Sequence, residues 1–254
     1  AYEPGDWKVL ALATLFIPCL YFTLEGFAIR FTSSSQAGVI AAVMPLIVAI
    51  SAWAVLRERP SRRTIGAILV TMAGVAVLSL GGASPAAAPN PVLGNLLELA
   101  AMLAAAGSTL TIKRLTTRYD PLLITGLQMG VGSVFFAPLA LASGPVDWAA
   151  VPANAWLAVG YLGIGCGLGA FGLYTSGLRL VPATRAALTI NLVPAVALVT
   201  GWLALGETMS PFQIGACVLI VGSVAYAELG GRRTPPSAGA PEPDDLPLAG
   251  RTGG

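Results

Sequence analysis

The chain has 254 residues, 56% of them hydrophobic and only 10% charged, with a formal net charge of +2 and no histidine. A soluble domain carries roughly 25% charged residues, so this chain lacks the polar surface to cover a globule in water. The small net charge and the absence of any basic cluster interleaved with aromatics exclude a nucleic-acid partner. Cys19, Cys166 and Cys217 each sit in an apolar run without paired spacing, so neither a disulfide framework nor a metal site is expected.

A helix needs about 20 apolar residues to cross a bilayer, and the chain supplies eight candidates. The first is 7–28, with Lys8 at its N-terminal end. Inside it Thr14, Tyr21 and Glu25, spaced seven and four apart, fall on one helix face. Pro18 lies on that same face and predicts a kink through the stripe. An ionisable residue inside a span is costly and is a functional candidate by default, so Tyr21 and Glu25 are read as substrate-facing. The plainer reading is that Glu25 pairs with a neighbouring hydroxyl or with Arg30, five residues on and about 7.5 Å along the axis. The second span, 34–56, contains Pro45, which frees a carbonyl and marks a hinge candidate. The third is 64–80.

The fourth span, 93–112, carries Glu98 on one face with Met102, Ala105 and Thr109. Its plainer role is a first-turn acid favoured by the helix N-terminus. The fifth, 122–142, presents Gln128 beside Thr125 and Gly132. The sixth, 155–178, holds Gly167, Gly169 and Gly172, formally a nucleotide fingerprint. No βαβ unit surrounds these glycines, and the position about 20 residues on is Asn191 rather than an acid. Gly163 with Gly167, or Gly165 with Gly169, instead predict close helix packing. The seventh, 183–205, contains Asn191 and the second hinge candidate, Pro194, whose kink is expected near Asn191. Gln128 and Asn191 are read as cavity-lining, with interhelical hydrogen bonding as the alternative. The eighth is 211–229. The tail 230–254 is rich in proline, glycine and charge and is expected to be disordered.

Lysine and arginine sort these spans. Lys8, then Arg57, Arg59, Arg62 and Arg63, then Lys113, Arg114 and Arg118, then Arg179 and Arg185, then Arg232 and Arg233 fall on alternate connections. The opposite connections hold only Arg30. Positive charge resists translocation, so the first set, including the C-terminus, is expected in the cytoplasm.

Two frames repeat within this order. "PLIVAISAWAVLRERPS" (45–61) and "PAVALVTGWLALGETMS" (194–210) share Pro, Trp, Leu, Glu and Ser in step, 149 residues apart (194 − 45, 207 − 58). Only the first copy keeps its arginines, because the charge rule puts Glu58 on the cytoplasmic side and Glu207 outside. These two glutamates are expected to tie loops to helix ends. A repeat that inverts has an odd number of spans, the architecture of many secondary transporters. Shifting the start of the second repeat near Leu93 back by 149 gives −56, so two further spans are expected ahead of Ala1. The expected fold is therefore an all-α membrane protein, a multi-span helical bundle of inverted five-helix repeats, with 3 + 5 spans of ten present. Residues 1–80 form the end of the first repeat, 81–92 an external linker and 93–229 the second repeat.

The two frames, each followed by a glycine (Gly66, Gly215), together with "LEGFAIRFTSSSQAGVIAAVMPLIVAISAWAVLRERPSRRTIGAILVTMAGV" and "GLRLVPATRAALTINLVPAVALVTGWLALGETMSPFQIGACVLIVGS", resemble the EamA-type transporters of the drug/metabolite transporter superfamily. The resemblance implies movement of amino acids, other metabolites or drugs, mostly outward, across a bacterial inner membrane. A secondary transporter exporting a small metabolite by alternating access is thus the leading function. A non-coupled exchanger or facilitator, and a structural subunit without transport, are the alternatives. Enzyme chemistry is not expected, since there is no histidine, no carboxylate pair at helical spacing and no Ser/Lys motif in a span. Partners expected are a small-molecule substrate, bilayer lipid, protons and a second copy of the chain, with no cofactor. Two carboxylates, Glu25 and Glu98, in the outer third of their spans favour a cationic or amine-bearing substrate.

Overall fold

The computed structural model describes residues 5–32, 34–81, 89–142, 144, 150–205 and 210–231. Glu207, most of the linker and the tail from 232 onward lie outside the described residues. The described residues form α-helices and wider π-type turns: α1 Asp6–Thr14, α2 Tyr21–Phe31, α3 Ser34–Ala41, α4 Met44–Ser51, α5 Arg62–Gly81, α6 Pro91–Leu115, α7 Pro121–Ala142, α8 Ala153–Gly160, α9 Phe171–Leu180, α10 Ala183–Ile190, α11 Val193–Leu205 and α12 Pro211–Gly231. Leu15–Leu20 joins α1 to α2, Ala52–Leu56 extends α4, and Tyr161–Ala170 joins α8 to α9.

Among the described residues, five stretches are long and apolar enough to cross a membrane: Asp6–Phe31, Gln36–Leu56, Pro91–Leu115, Pro121–Ala142 and Ala153–Leu180. The remaining three expected spans correspond to α5, to the pair α10 and α11, and to α12. Outer faces such as Leu122, Val134, Leu139, Leu157, Leu162 and Ile164 are exposed. So much contiguous apolar surface has no place in water; it fits lipid.

Three spans are broken, each for a local reason. Pro18 has no N–H to give, and the residue before a proline is pushed out of the helical region. Ile17 is accordingly extended (φ −129°, ψ 125°), and the Ile17–Pro18 peptide is cis. The second and seventh spans divide at Ala42–Val43 and at Asn191–Leu192, two to three residues ahead of Pro45 and Pro194. Each proline therefore sits in the first turn of a new helix, where its missing N–H costs nothing, rather than inside a continuous one. That differs from the sequence expectation of a kink within the helix. The proline starts the second segment; the chain has already turned.

The breaks keep the 149-residue interval. Ser34 and Ala183 start α3 and α10 (183 − 34), Met44 and Val193 start α4 and α11 (193 − 44), Arg62 and Pro211 start α5 and α12 (211 − 62), and Phe31 and Leu180 end α2 and α9 (180 − 31). α5 packs along α12, and α6 lies against α2, α3 and α4. The main core runs along α6, where Ala101, Met102, Ala105 and Ala106 meet Ala13, Met44, Val48 and Ala187. Small side chains let helices approach where no hydrophobic effect drives them together.

The sixth span corrects the glycine reading. A Cβ on Gly167 would meet Met129 at 3.3 Å and one on Gly172 would meet Leu122 at 3.2 Å, whereas Gly163 faces open space. The close approach to α7 uses glycines five apart, not four, because the π-type turns of Tyr161–Ala170 widen the helical repeat to i→i+5.

Candidate functional site

α2 and α6 are clamped at one end and carry their acids just below the clamp. The N–H of Asn90 donates to the Phe31 carbonyl (3.3 Å), so the end of α2 meets the start of α6 and the two run antiparallel. The Thr32 hydroxyl donates to Asn95 Oδ1 (2.6 Å) and to Gln36 Oε1 (2.8 Å). Backbones nearly touch there: a Cβ on Gly94 would lie 2.6 Å from the Thr32 nitrogen. Stepping one turn down each helix from Gly94 and Thr32 brings Glu98 level with Ala28, and a further turn brings Met102 level with Glu25.

Glu98 is 2% exposed, and its Oε2 has no hydrogen-bond partner. It lies two turns inside α6, whose first turn is capped by Asn90 Oδ1 accepting from the Leu93 N–H (3.2 Å). The first-turn explanation for this acid therefore fails; it is beyond reach of the helix end. Glu25 is half-buried and accepts a hydrogen bond from the Tyr21 hydroxyl at 2.8 Å. The Arg30 guanidinium lies 5.8 Å from the centre of the Phe27 ring, and no ion pair joins it to Glu25. Tyr21 and Glu25 are thus joined on α2, and Glu98 lies about one turn from Glu25 on the packed helix α6. Thr14 is not: the break at Ile17 separates it from Tyr21, and its hydroxyl donates back to the Leu10 and Ala11 carbonyls.

Gln128 lies deeper, and its amide is engaged by the break. Its Nε2 donates to the carbonyls of Ala13 (3.2 Å) and Ile17 (3.0 Å) and lies 3.5 Å from Ser108 Oγ. Ser108 is ten residues from Glu98, about 15 Å along α6. Asn191 stands apart from all of these. Its Nδ2 donates to the Ala42 carbonyl (3.5 Å) and to Thr71 Oγ1 (3.2 Å), joining the two broken spans to α5. Gln128 and Asn191 therefore both follow the interhelical hydrogen-bonding alternative in this state of the protein. Glu58 Oε2 accepts from the Ala183 N–H (3.0 Å), tying its loop to the start of α10 as the sequence suggests.

The partners of several polar groups escaped sequence reasoning. Lys113 Nζ donates to the Leu178 and Val181 carbonyls (2.7 and 2.8 Å), satisfying the open end of α9. Thr109 Oγ1 lies 3.2 Å from the Tyr174 hydroxyl, and Thr125 Oγ1 bonds Thr175 Oγ1 at 3.3 Å. The repeat interval was the available signal for Tyr174, which stands 149 residues after Glu25 (174 − 25). Two grooves lie elsewhere. One runs along the apolar outer face of α7 from Leu122 to Phe135, and one lies between Gly5–Val9 and Arg114–Arg118.

Residues 2–80 and 92–227 match the EamA-like transporter family. The uncharacterized transporter YetK of Bacillus subtilis is 29% identical over 212 residues, which are 81% of this chain and 62% of that relative. The uncharacterized transporter YcxC of the same organism is 28% identical over 225 residues, 85% of this chain and 71% of the relative. The chain thus spans less than two thirds of the length of YetK. A crystal structure shares the fold at 24% identity, with a TM-score of 0.75 over 90% of this chain and 79% of the other. With its run of apolar helices and two matched repeats of broken spans, the chain is a multi-pass membrane protein and belongs to the EamA-like transporter family.

Proposed function

We propose that the protein is a secondary transporter that exports a small metabolite across a bacterial inner membrane by alternating access, with its C-terminus in the cytoplasm. The observation that carries this reading is the pairing of the two broken spans. The turn at Ala42–Val43 and the turn at Asn191–Leu192 lie 149 residues apart and are bonded to each other through Asn191 Nδ2 and the Ala42 carbonyl. Discontinuous helices that meet between inverted repeats are what rocking of one half against the other requires. Pro45 and Pro194 fix where each second segment begins, and serve as hinges in this reading. Tyr21, Glu25 and Glu98 form the substrate-facing cluster, while Gln128 and Asn191 hold the breaks in shape.

The test is efflux from proteoliposomes containing the purified chain, preloaded with a panel of amino acids and organic amines, with and without a proton gradient. At least one compound should leave faster than from empty liposomes, and its rate should respond to the gradient. Rates equal to those of empty liposomes across the panel sink the proposal.

A further inference from the structure

The sixth span, Ala153–Leu180, is the longest of the five apolar spans and the least enclosed. Its counterpart in the other repeat is the first span. Shifted back by 149 residues, α8, Tyr161–Ala170 and α9 fall on α1, Leu15–Leu20 and α2. α6 packs along the whole of that first copy, and α7 packs against α1 and Leu15–Leu20. Side chains covered in the first copy are bare in the second. Ala13 is 1% exposed and its equivalent Leu162 (162 − 13) is 60% exposed; Cys19 is 5% exposed and its equivalent Leu168 (168 − 19) is 50% exposed. Leu24 packs into the main core, whereas Leu173 (173 − 24) is 76% exposed. Ala28 is fully enclosed beside α6, whereas a Cβ added to its equivalent Gly177 (177 − 28) would meet nothing within 4 Å. Leucine suits lipid as well as a helix contact, so polarity does not separate the two; the repeat does.

We infer that the face of the sixth span bearing Leu162, Leu168, Leu173 and Gly177 is the docking surface for the pair of helices expected ahead of Ala1. Where two copies are related by a two-fold, a contact between two elements implies the contact between their equivalents. The first helix of the second repeat, α6, lies on the first span, so the first helix of the first repeat lies on the sixth. The equivalent of α7 joins it against α8 and Tyr161–Ala170. α6 brings small residues to its own contact, with Gly94 against Thr32 and Gly107 against Phe16. Close approach of that kind drives association in lipid, and the open space at Gly177 leaves room for it on α9. The interface forms whether or not the protein moves a substrate, so its test is separate from the efflux assay.

The experiment extends the chain upstream by its own gene and places a photoreactive benzoylphenylalanine at Leu162, Leu168 or Leu173. Val218, exposed on α12, which packs along α5, is the control position. After irradiation in a bilayer, mass spectrometry of the digested chain identifies what each position has captured. Leu162, Leu168 and Leu173 should each cross-link to the segment ahead of Ala1, and Val218 to lipid alone. Capture of lipid alone at all three positions overturns the inference. So does cross-linking to a second copy, seen as a doubled mass, and so does an upstream sequence without two further apolar runs. A position whose photoreactive variant fails to insert is read instead with a nitroxide on a cysteine there. Its accessibility to dissolved oxygen should be lower in the extended chain than in the 254-residue chain; equal accessibility in the two overturns the inference.

Discussion

Gln128 shows how one side chain can be worth more to the fold than to a ligand. The break at Ile17 leaves helix carbonyls without intrahelical donors, and the Gln128 amide supplies both hydrogens to Ala13 and Ile17. An unpaired polar group in lipid-shielded surroundings costs about 1–3 kcal/mol, although measured interhelical hydrogen bonds in membranes average nearer 0.6. Gln128→Leu should therefore destabilise the folded chain by about 1–2 kcal/mol, read as a lowered melting temperature in detergent, because two carbonyls are orphaned at once. Efflux of a transported compound measured below that temperature should stay within about twofold of wild type. Lost efflux at unchanged melting temperature would instead make Gln128 a substrate contact. The neighbouring Gly132 supports the same reading, since a Cβ there would lie 2.6 Å from Pro18 Cγ; α7 is fitted to the break in the first span by shape as well as by hydrogen bonds.

The elements were legible to different depths. The helical spans and their approximate ends follow from run length and punctuation, because lipid leaves the backbone only helices or closed barrels and these runs lack the alternation of barrel strands. The Pro18 break was readable from the proline itself, and the break at Asn191 from Pro194. Which carbonyls Gln128 would find was not readable, since hydropathy shows that a helix is buried but not which neighbour its face meets. The same holds for Glu98: composition places it in a span, but only the crossing at Gly94 and Thr32 reveals it as enclosed and unpartnered. The glycines of the sixth span were assigned to the wrong pairs because sequence spacing assumes 3.6 residues per turn and this segment does not have it. One consequence of the prolines belongs at this scale. Pro194 occupies the first turn of α11, so Pro194→Ala adds an N–H without disturbing any existing bond. The folded protein should keep its melting temperature within about 2 °C. The added N–H lets the chain run on toward Ile190, stiffening the break, and efflux from proteoliposomes should slow. An unchanged efflux rate would make Pro194 a packing feature.

At the scale of the whole molecule, the charge sorting and the repeat make one joint claim about sidedness. In a background with Cys19, Cys166 and Cys217 replaced by alanine, single cysteines at Ser61 and Pro235 should react only with reagent admitted to the cytoplasm. Cysteines at Ala87 and Met209 should react only with reagent outside. Reaction of Ser61 and Met209 from the same side would remove the inversion and the transport reading with it. The bond between Asn191 and Ala42 carries the inversion one step further. These residues are equivalents of each other (191 − 42 = 149), so the proposed exchange of conformations between the two halves would keep the two turns side by side, while the bond itself is one-sided because Ala42 has no side-chain amide to return it. The bond from Glu58 to Ala183 is not mapped onto itself. Under the proposed exchange of halves its counterpart is the pair of positions 207 and 34 (58 + 149, 183 − 149), on the side that the charge sorting expects to face outward. In that reading a single 149-residue interval sets one meeting point of the broken spans and two latches that take turns.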